Sequence, residues 1–297
     1  MLRSSLLLSM TFCIFSAVSA AEGEQMPLWD GQAPLGNGTT EPVPADATIT
    51  LHRPAKPNGT VLVICPGGGY GVRVSGGEGH SIAAWLNKHN ITGVVLDYRL
   101  PRGRSAVPLL DAQRAIRLTR AHAKQWNIDA KKVGIIGFSA GGHLAASAAT
   151  LFEPGNASAT DPVLRLSSRP DFAILIYPVI SMQEGLTHGG SRNSLLGQKP
   201  TPELLQRFST ERQVTAETPP CYLAHAVDDT LVTIENSRVF AAAMRAAKRP
   251  VELLEPATGG HGFNGYKGPS WDAWQTGSLT WLARLKFIPE VDAGPIR

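Results

Sequence analysis

The stretch KVGIIGFSAGGHLAASAAT, residues 132–150, is the part of the sequence that decides the fold. Its first half is mostly apolar and β-branched, which predicts a buried strand over 132–138. Its second half consists of small residues and predicts a helix over 143–150. The two halves meet at a G-x-S-x-G pattern centred on Ser139, where small neighbours let a strained turn pass close to the following helix. The pattern therefore predicts Ser139 as a nucleophile at the end of a strand.

Further apolar runs alternate with helical patterns along the chain. The predicted strands are Thr60 to Cys65, Thr92 to Tyr98, Lys132 to Phe138, Phe172 to Val179, Cys221 to Ala226 and Val251 to Leu254. Apolar residues at spacings of three and four predict a helix between Val107 and Trp126, with Arg114, Arg117 and Arg120 as solvated surface. This alternation predicts an α/β fold with a mainly parallel sheet and helices on both faces.

The start of the chain is typical of an export signal. Arg3 precedes an apolar run of about thirteen residues, shorter than the roughly 20 that a membrane-spanning helix needs, and small residues end at Ala20. We therefore expect residues 1–20 to be a signal peptide that is cleaved off. The mature protein is predicted to be secreted or periplasmic, without stable membrane insertion.

The remaining sequence is predicted to form one catalytic domain preceded by an arm. Residues 21–45 are rich in Pro, Gly and Asn and predict an extended arm over the body, with regular structure beginning only after it. Residues 46–297 then form the domain. Within it, residues 181–218 make a long polar connection between two strands, which predicts a lid or a wall of the substrate site.

The charge of the chain argues against one class of partner. The formal net charge is +4, and the basic residues are scattered rather than gathered in a stripe. Nucleic-acid binding therefore has little support, because it needs a continuous basic surface. The sequence does not indicate an oligomeric state.

A glycine-rich segment predicts the groups that would stabilise a negative charge. The sequence CPGGGY, residues 65–70, closes an earlier buried strand. Its glycines allow bare N–H groups to face a ligand, so we predict an oxyanion hole formed by Gly68, Gly69 and the N–H of Ala140. A phosphate cradle is the alternative, but no Gly-Lys-Ser/Thr follows. Tyr70 is predicted to contact substrate.

A nucleophilic serine needs a base and an acid that orients the base. Among eight histidines, His261 is the candidate base because it follows the last predicted strand between small residues, GGHGF at 259–263. The acid is Asp229 or Asp228, at the end of the strand that begins at residue 221. We favour Asp229, because residues 230–232 end in Val, as the turn after this acid usually does. His143 lies one helical turn after Ser139, in the helix that follows it, and is predicted to have a structural role.

Taken together, these motifs resemble the bacterial acetyl-xylan-esterase-like members of the α/β-hydrolase superfamily, related to bifunctional acetyl and feruloyl esterases. The resemblance spans LW at 28–29, CPGGGY at 65–70, YRL at 98–100, GFSAGGH at 137–143, GSR at 190–192, LLG at 195–197 and GHGF at 260–263. It implies a sheet of about eight strands, no metal, no organic cofactor, and short acyl esters on carbohydrate as substrates.

The fold implied by this resemblance also separates two cysteines. Cys65 and Cys221 would lie on strands three places apart, roughly 14 Å at about 4.8 Å per strand, whereas a disulfide needs Cα atoms within about 7 Å. We therefore expect two free, buried thiols.

The sequence thus predicts a serine hydrolase of carboxylic esters, with Ser139, His261 and Asp229 as its catalytic residues and a small-molecule or carbohydrate ester as its substrate. Two alternatives stay open at this point. One is a serine peptidase of the same fold, and the other is a non-catalytic binding protein on a hydrolase scaffold.

Overall fold

The protein folds around one eight-stranded sheet. The computed structural model describes residues 23–31, 33–35 and 47–290, so the predicted signal peptide lies outside the described residues. The strands are β1 Glu24–Pro27, β2 Thr48–His52, β3 Val61–Cys65, β4 Thr92–Asp97, β5 Val133–Phe138, β6 Ala173–Ile176, β7 Cys221–Ala224 and β8 Val251–Leu254. Their order across the sheet is β1-β2-β4-β3-β5-β6-β7-β8. Only β1 and β2 pair antiparallel with their neighbours, which confirms the predicted mainly parallel sheet.

Helices cover both faces of the sheet. They are α1 Ser81–Lys88, α2 Val107–Ala121, α3 Ala123–Trp126, α4 Ala140–Thr150, α5 Gly189–Leu196, α6 Pro202–Phe208, α7 Glu235–Ala246, α8 Phe263–Tyr266 and α9 Pro269–Arg284. Two separate clusters of buried residues result, one beneath α2, α4 and α7 and the other beneath α1 and α9. The predicted helix from 107 to 126 is interrupted at His122, where α2 ends and α3 begins.

The central strands are apolar throughout because both of their faces are covered. In β3, Val61, Val63 and Cys65 point into one cluster, whereas Leu62 and Ile64 point into the other. This alternation follows from the two-residue period of a strand. It explains why the buried strands appear in the sequence as continuous apolar runs.

The arm differs from its prediction. Residues 24–27 pair with β2 as an antiparallel edge strand, so regular structure begins within the arm rather than after it. Beyond this strand, Leu28 is buried and Trp29 donates from Nε1 to a carboxylate oxygen of Asp111 at 2.7 Å. The described part of the arm is therefore attached to α2.

The basic residues of α2 also differ from their prediction. Arg114 and Arg117 are buried rather than solvated. Arg114 pairs with Asp161, and the guanidinium of Arg117 lies 2.9 Å from Glu153. These acidic partners lie in the loop that follows α4, which periodicity within α2 does not reveal. The pairs fasten that loop to the helix.

The two cysteines in the described residues are free and buried, as predicted. Cys65 ends β3 and Cys221 begins β7, three strands away. Within the same described residues, no helix combines the length and the apolar character needed to cross a membrane.

Candidate active site

Ser139 lies on the turn between β5 and α4 with an unusual backbone conformation. Its φ is 53° and its ψ is −119°. Such a positive φ is rare for a residue with a side chain and marks local strain. The turn is possible because a Cβ on Gly137 would lie 2.0 Å from the carbonyl oxygen of Gly141, a distance that only glycine avoids. This strained turn places Ser139 directly after β5, at the carboxyl edge of the sheet.

His261 and Asp229 meet Ser139 from two other loops at the same edge. The Ser139 hydroxyl donates to Nε2 of His261 at 2.9 Å. Nδ1 of His261 lies 2.7 Å from Oδ2 of Asp229 and donates to it. The structure thus brings together three predicted residues that are up to 122 positions apart in sequence. The arrangement suits removal of a proton from the serine by an imidazole that a carboxylate orients.

The surroundings of Asp229 keep its carboxylate ionised. Its Oδ1 accepts the N–H groups of Leu231 and Val232 at 2.9 and 3.0 Å. Burial alone would raise the pKa of this carboxyl, but hydrogen bonds from His225, His261 and the Val232 N–H hold it well below its usual range. Asp229 can therefore stabilise a positive charge on His261.

Asp228, the alternative acid, has a different position. Its carboxylate oxygens accept the N–H groups of Gly259 and Gly260, at 3.2 and 2.8 Å. These glycines directly precede His261. Asp228 therefore holds the loop that carries the histidine, while Asp229 contacts the imidazole itself.

Backbone N–H groups without a protein acceptor occur where the oxyanion hole is predicted. Gly68 and Gly69 have φ values of 123° and 62°, which glycine adopts without strain. Neither N–H donates to a protein acceptor among the described residues. Ala140 begins α4, so its N–H has no partner within the helix. A Cβ on the preceding Gly67 would lie 3.0 Å from Cβ of Ser139, which places this glycine segment directly beside the nucleophile.

Tyr70 requires a correction. Its side chain is only 2% exposed, so it is not available to substrate as predicted. Its hydroxyl lies 2.8 Å from Nδ1 of His143. Nε2 of His143 donates to the carbonyl of Phe208 at 2.7 Å. Because that carbonyl can only accept, Nδ1 must accept from Tyr70. The predicted structural role of His143 is therefore confirmed.

Glu78 is a buried acid beneath the site that no pattern in the sequence indicated. It is 4% exposed, and no Lys or Arg among the described residues forms an ion pair with it. Its Oε2 accepts the N–H of Gly67 at 2.7 Å, and its Oε1 accepts the hydroxyls of Tyr177 and Tyr266 at 2.9 and 3.1 Å. Burial raises the pKa of Glu78, and these hydrogen bonds oppose that effect.

Glu78 connects the glycine segment 67–69, the oxyanion loop of the prediction, to the surroundings of the His261 imidazole. The ring of Tyr177 lies 4.9 Å from that of His261, measured between centroids. Tyr266 lies in α8, directly after the loop of His261. One carboxylate thus holds three segments together, and no sequence motif marks it.

His225 is a second histidine that contacts the carboxylate of Asp229. Its Nε2 lies 2.8 Å from the carbonyl of Val232 and 3.2 Å from Oδ2 of Asp229. Because a carbonyl only accepts, Nε2 carries the proton, and Nδ1 accepts from the hydroxyl of Ser237 at 2.8 Å. In the sequence, the position of His225 four residues before Asp229 was the one feature that could have indicated this contact.

Exposed apolar side chains lie on segments next to the site. Large exposed apolar residues in the described part of the chain are Leu35, Val72, Val74, Val227, Leu231 and Tyr266. Val72 and Val74 lie on the loop that follows β3, Val227 and Leu231 lie on the loop that follows β7, and Tyr266 lies in α8 after the loop of His261. The insertion approaches from another side, where Oγ of Ser191 lies 4.0 Å from the place of a Cβ on Gly69.

The sheet and this constellation together define an α/β-hydrolase with a serine-type site. A family model described as BD-FAE matches residues 49–244, which include Ser139 and Asp229. The chain belongs to this BD-FAE family of α/β-hydrolase esterases, as the resemblance in its sequence predicted.

Individual relatives agree with this assignment. The chain is 38% identical to an acetylxylan esterase of Xylanibacter ruminicola, over 73% of this chain and 44% of that protein. It is also 38% identical to endo-1,4-beta-xylanase B of Butyrivibrio fibrisolvens, over 76% of this chain and 36% of that protein. It thus spans less than half the length of these two curated relatives.

The structure is similar to that of an acetyl ester-xyloside bifunctional hydrolase from Caldicellulosiruptor lactoaceticus. The TM-score is 0.83 at 37% identity, and the match covers 90% of this chain and 98% of the other. Esterase 2 of Thermogutta terrifontis shares the fold, with a TM-score of 0.72 at 24% identity over 92% of this chain and 98% of the other.

Proposed function

We propose that this chain hydrolyses short acyl esters, above all acetyl esters, on carbohydrates such as xylan, through a covalent acyl-enzyme on Ser139. The observation that carries the proposal is the hydrogen-bonded series from Ser139 through His261 to Asp229, at 2.9 and 2.7 Å. The relatives named acetylxylan esterase and acetyl ester-xyloside bifunctional hydrolase support the acetyl and carbohydrate parts.

The first half of the reaction forms the acyl-enzyme. His261 takes the proton of Ser139 as the hydroxyl oxygen attacks the ester carbonyl. The N–H groups of Ala140 and of Gly68 or Gly69 donate to the resulting oxyanion, and Asp229 stabilises the imidazolium. The C–O bond to the alcohol then breaks, and His261 returns its proton to the departing alcohol.

The second half releases the acid. A water molecule gives a proton to His261 and attacks the acyl carbonyl, the same N–H groups stabilise the second oxyanion, and the bond to Ser139 breaks. The serine recovers its proton from His261. The products are the carboxylic acid and the free enzyme.

The surface next to the site is suited to a neutral substrate. The exposed apolar side chains on the loops after β3 and β7 favour an uncharged acyl group over a charged one. Residues 181–218 are proposed to form a wall of this site, supported by the position of Ser191 beside Gly69. Export of the mature protein remains a proposal that rests on residues 1–20 and suits a polymeric substrate outside the cell.

Replacing the nucleophile tests the mechanism. We expect Ser139→Ala to lower kcat for p-nitrophenyl acetate and acetate release from acetylated xylan by at least about 10⁴-fold, because the remaining groups cannot form the acyl-enzyme. Circular dichroism serves as the control for folding. A fluorophosphonate probe should label the wild-type protein and leave the variant unlabelled.

An ester panel tests the substrate class. Acetyl, butyryl and longer p-nitrophenyl esters, acetylated xylan, methyl ferulate and a peptide amide would be compared with the same enzyme sample. Unchanged turnover in Ser139→Ala would remove this serine from the mechanism. A preference for long acyl chains over acetyl, or for the amide over the esters, would refute the proposed substrate.

A further inference from the structure

His188 lies in the insertion at the edge of the active site, and no part of the proposed reaction uses it. It is the residue that precedes α5, where its side chain accepts the N–H of Ser191 as a helix cap. Ser191 in turn lies beside the oxyanion glycine Gly69. The ring is half-buried, and this burial lowers the pKa of His188. The nearby charge of His261 lowers the same pKa further, by a smaller amount.

The contacts of the ring fix which nitrogen carries the proton. Nδ1 of His188 lies 3.3 Å from the backbone N of Ser191 and 2.8 Å from its Oγ. A backbone N–H can only donate, so Nδ1 is an acceptor and is not protonated. The proton of the neutral ring therefore lies on Nε2. No acceptor among the described residues binds that N–H. Nε2 is also not one of the buried polar atoms, so the N–H is accessible to a ligand.

We propose that the Nε2–H of His188 donates a hydrogen bond to an oxygen of the sugar that bears the acetyl group. This inference rests on the proposed function and names a determinant of its specificity. An acetyl group has no polar atom besides the ester carbonyl, and the oxyanion hole takes that oxygen. Apart from the bridging ester oxygen, the remaining acceptors in such a substrate are the hydroxyl and ring oxygens of the alcohol part. A fixed donor discriminates for such oxygens, because a substrate without them leaves it unpaired.

Two substrates with the same acyl group isolate this contact. An acetylated methyl xyloside offers hydroxyl and ring oxygens, whereas the alcohol part of phenyl acetate has no acceptor besides the bridging ester oxygen, which both substrates share. The quantity of interest is the ratio of kcat/KM for the xyloside to kcat/KM for phenyl acetate. Differences in folding or in the concentration of active enzyme cancel in this ratio.

Two variants separate the donor from the helix cap. Asn in His188→Asn keeps an acceptor for the N–H of Ser191, since Asn is a favourable cap, but it has no donor at the place of Nε2. We expect the ratio to fall about five- to tenfold in this variant, with an unchanged melting temperature. In His188→Gln the amide N–H reaches the place of Nε2, and we expect most of the ratio to return.

A matched control makes the same chemical change elsewhere. His89→Asn alters a half-buried histidine whose ring packs against Trp85 at 5.7 Å, and it should leave the ratio unchanged. If His188→Asn keeps the wild-type ratio within twofold, His188 does not bind the sugar. If the wild-type enzyme cleaves phenyl acetate but no acetylated xyloside, the proposed carbohydrate substrate is wrong, and this inference fails with it.

Discussion

Asp228 and Asp229 show how two adjacent residues of one type acquire different tasks. Asp229 is buried and accepts from the imidazole of His261, whereas Asp228 accepts from two backbone N–H groups of the loop before that histidine. At position 228 a neutral amide can replace the carboxylate in part, because its oxygen still accepts a backbone N–H. At position 229 an amide cannot replace a carboxylate that stabilises an imidazolium.

The two positions should therefore respond differently to the same substitution. We expect Asp229→Asn to lower kcat/KM for p-nitrophenyl acetate by about 10³ to 10⁴-fold, because the amide favours the wrong tautomer of the histidine. Asp228→Asn should cost less than about tenfold, because one amide oxygen still accepts an N–H. Steady-state kinetics on both purified variants measures this, and equal losses would contradict the assignment.

Local sequence identified the three residues of the hydrogen-bonded series, but not the residues that support them. Ser139 and His261 stand in glycine-rich segments whose composition reflects the backbone that they need. Glu78 has its partners at Gly67, Tyr177 and Tyr266, and these contacts exist only after the sheet has formed. The prediction that Tyr70 contacts substrate was wrong, because its position next to Gly68 and Gly69 in the sequence does not show which way its side chain points.

At the scale of elements, helix α4 is joined to two neighbouring segments by one buried imidazole. His143 receives the Tyr70 hydroxyl from the loop after β3 and donates to the carbonyl of Phe208 at the end of α6. Burial lowers the pKa of His143 from 6.5 to about 4. The folded state therefore keeps this ring neutral where the unfolded chain protonates it.

The sign of the resulting pH dependence follows directly. Between about pH 6.5 and 4 the unfolded state binds the extra proton, so His143 reduces stability as the pH falls and has no such effect above pH 7. We expect His143→Gln to lower the free energy of unfolding at pH 7.5. The difference in free energy of unfolding between wild type and variant should be about 2 to 3 kcal/mol smaller at pH 4.5 than at pH 7.5. Urea denaturation at several pH values measures it.

Tyr70→Phe provides the matched comparison for this effect. It removes the hydrogen bond to Nδ1 but keeps the buried imidazole, so its difference from wild type should stay nearly constant with pH. A constant difference for His143→Gln as well would show that this histidine does not titrate on unfolding.

The elements missing from the sequence prediction are the two short antiparallel strands. β1 contains Glu, Gln and Pro in four residues, and no helix lies between β2 and β3 or among the described residues between β1 and β2. β2 takes its place in the sheet by pairing with β4, whose own apolar sequence was recognised, and β1 takes its place by pairing with β2. The buried strands were predictable because both of their faces are covered, whereas an edge strand gains its structure from its neighbour.

Across the whole molecule, the sheet keeps the two cysteines apart. Cys65 and Cys221 lie at opposite ends of strands three places from one another, and each thiol is buried. Burial raises the pKa of both thiols, that of Cys221 to about 12, so neither is a reactive thiolate near neutral pH.

Alkylation with iodoacetamide tests this arrangement. In the folded protein at pH 8 we expect peptides containing Cys65 and Cys221 to remain unlabelled. In denaturant without reductant both should carry the label, as detected by peptide mass. Absence of label on both peptides after unfolding would indicate a disulfide.

The carboxylate of Glu78 has a consequence for how this scaffold can diversify. It couples the oxyanion loop, the residue after β6 and α8, so a change in the backbone of any one of them disturbs a contact shared with the other two. No side chain in 181–218 hydrogen-bonds to it. Mutant libraries that seek new substrates should therefore retain activity more often when randomised in that insertion than when randomised in the three coupled segments.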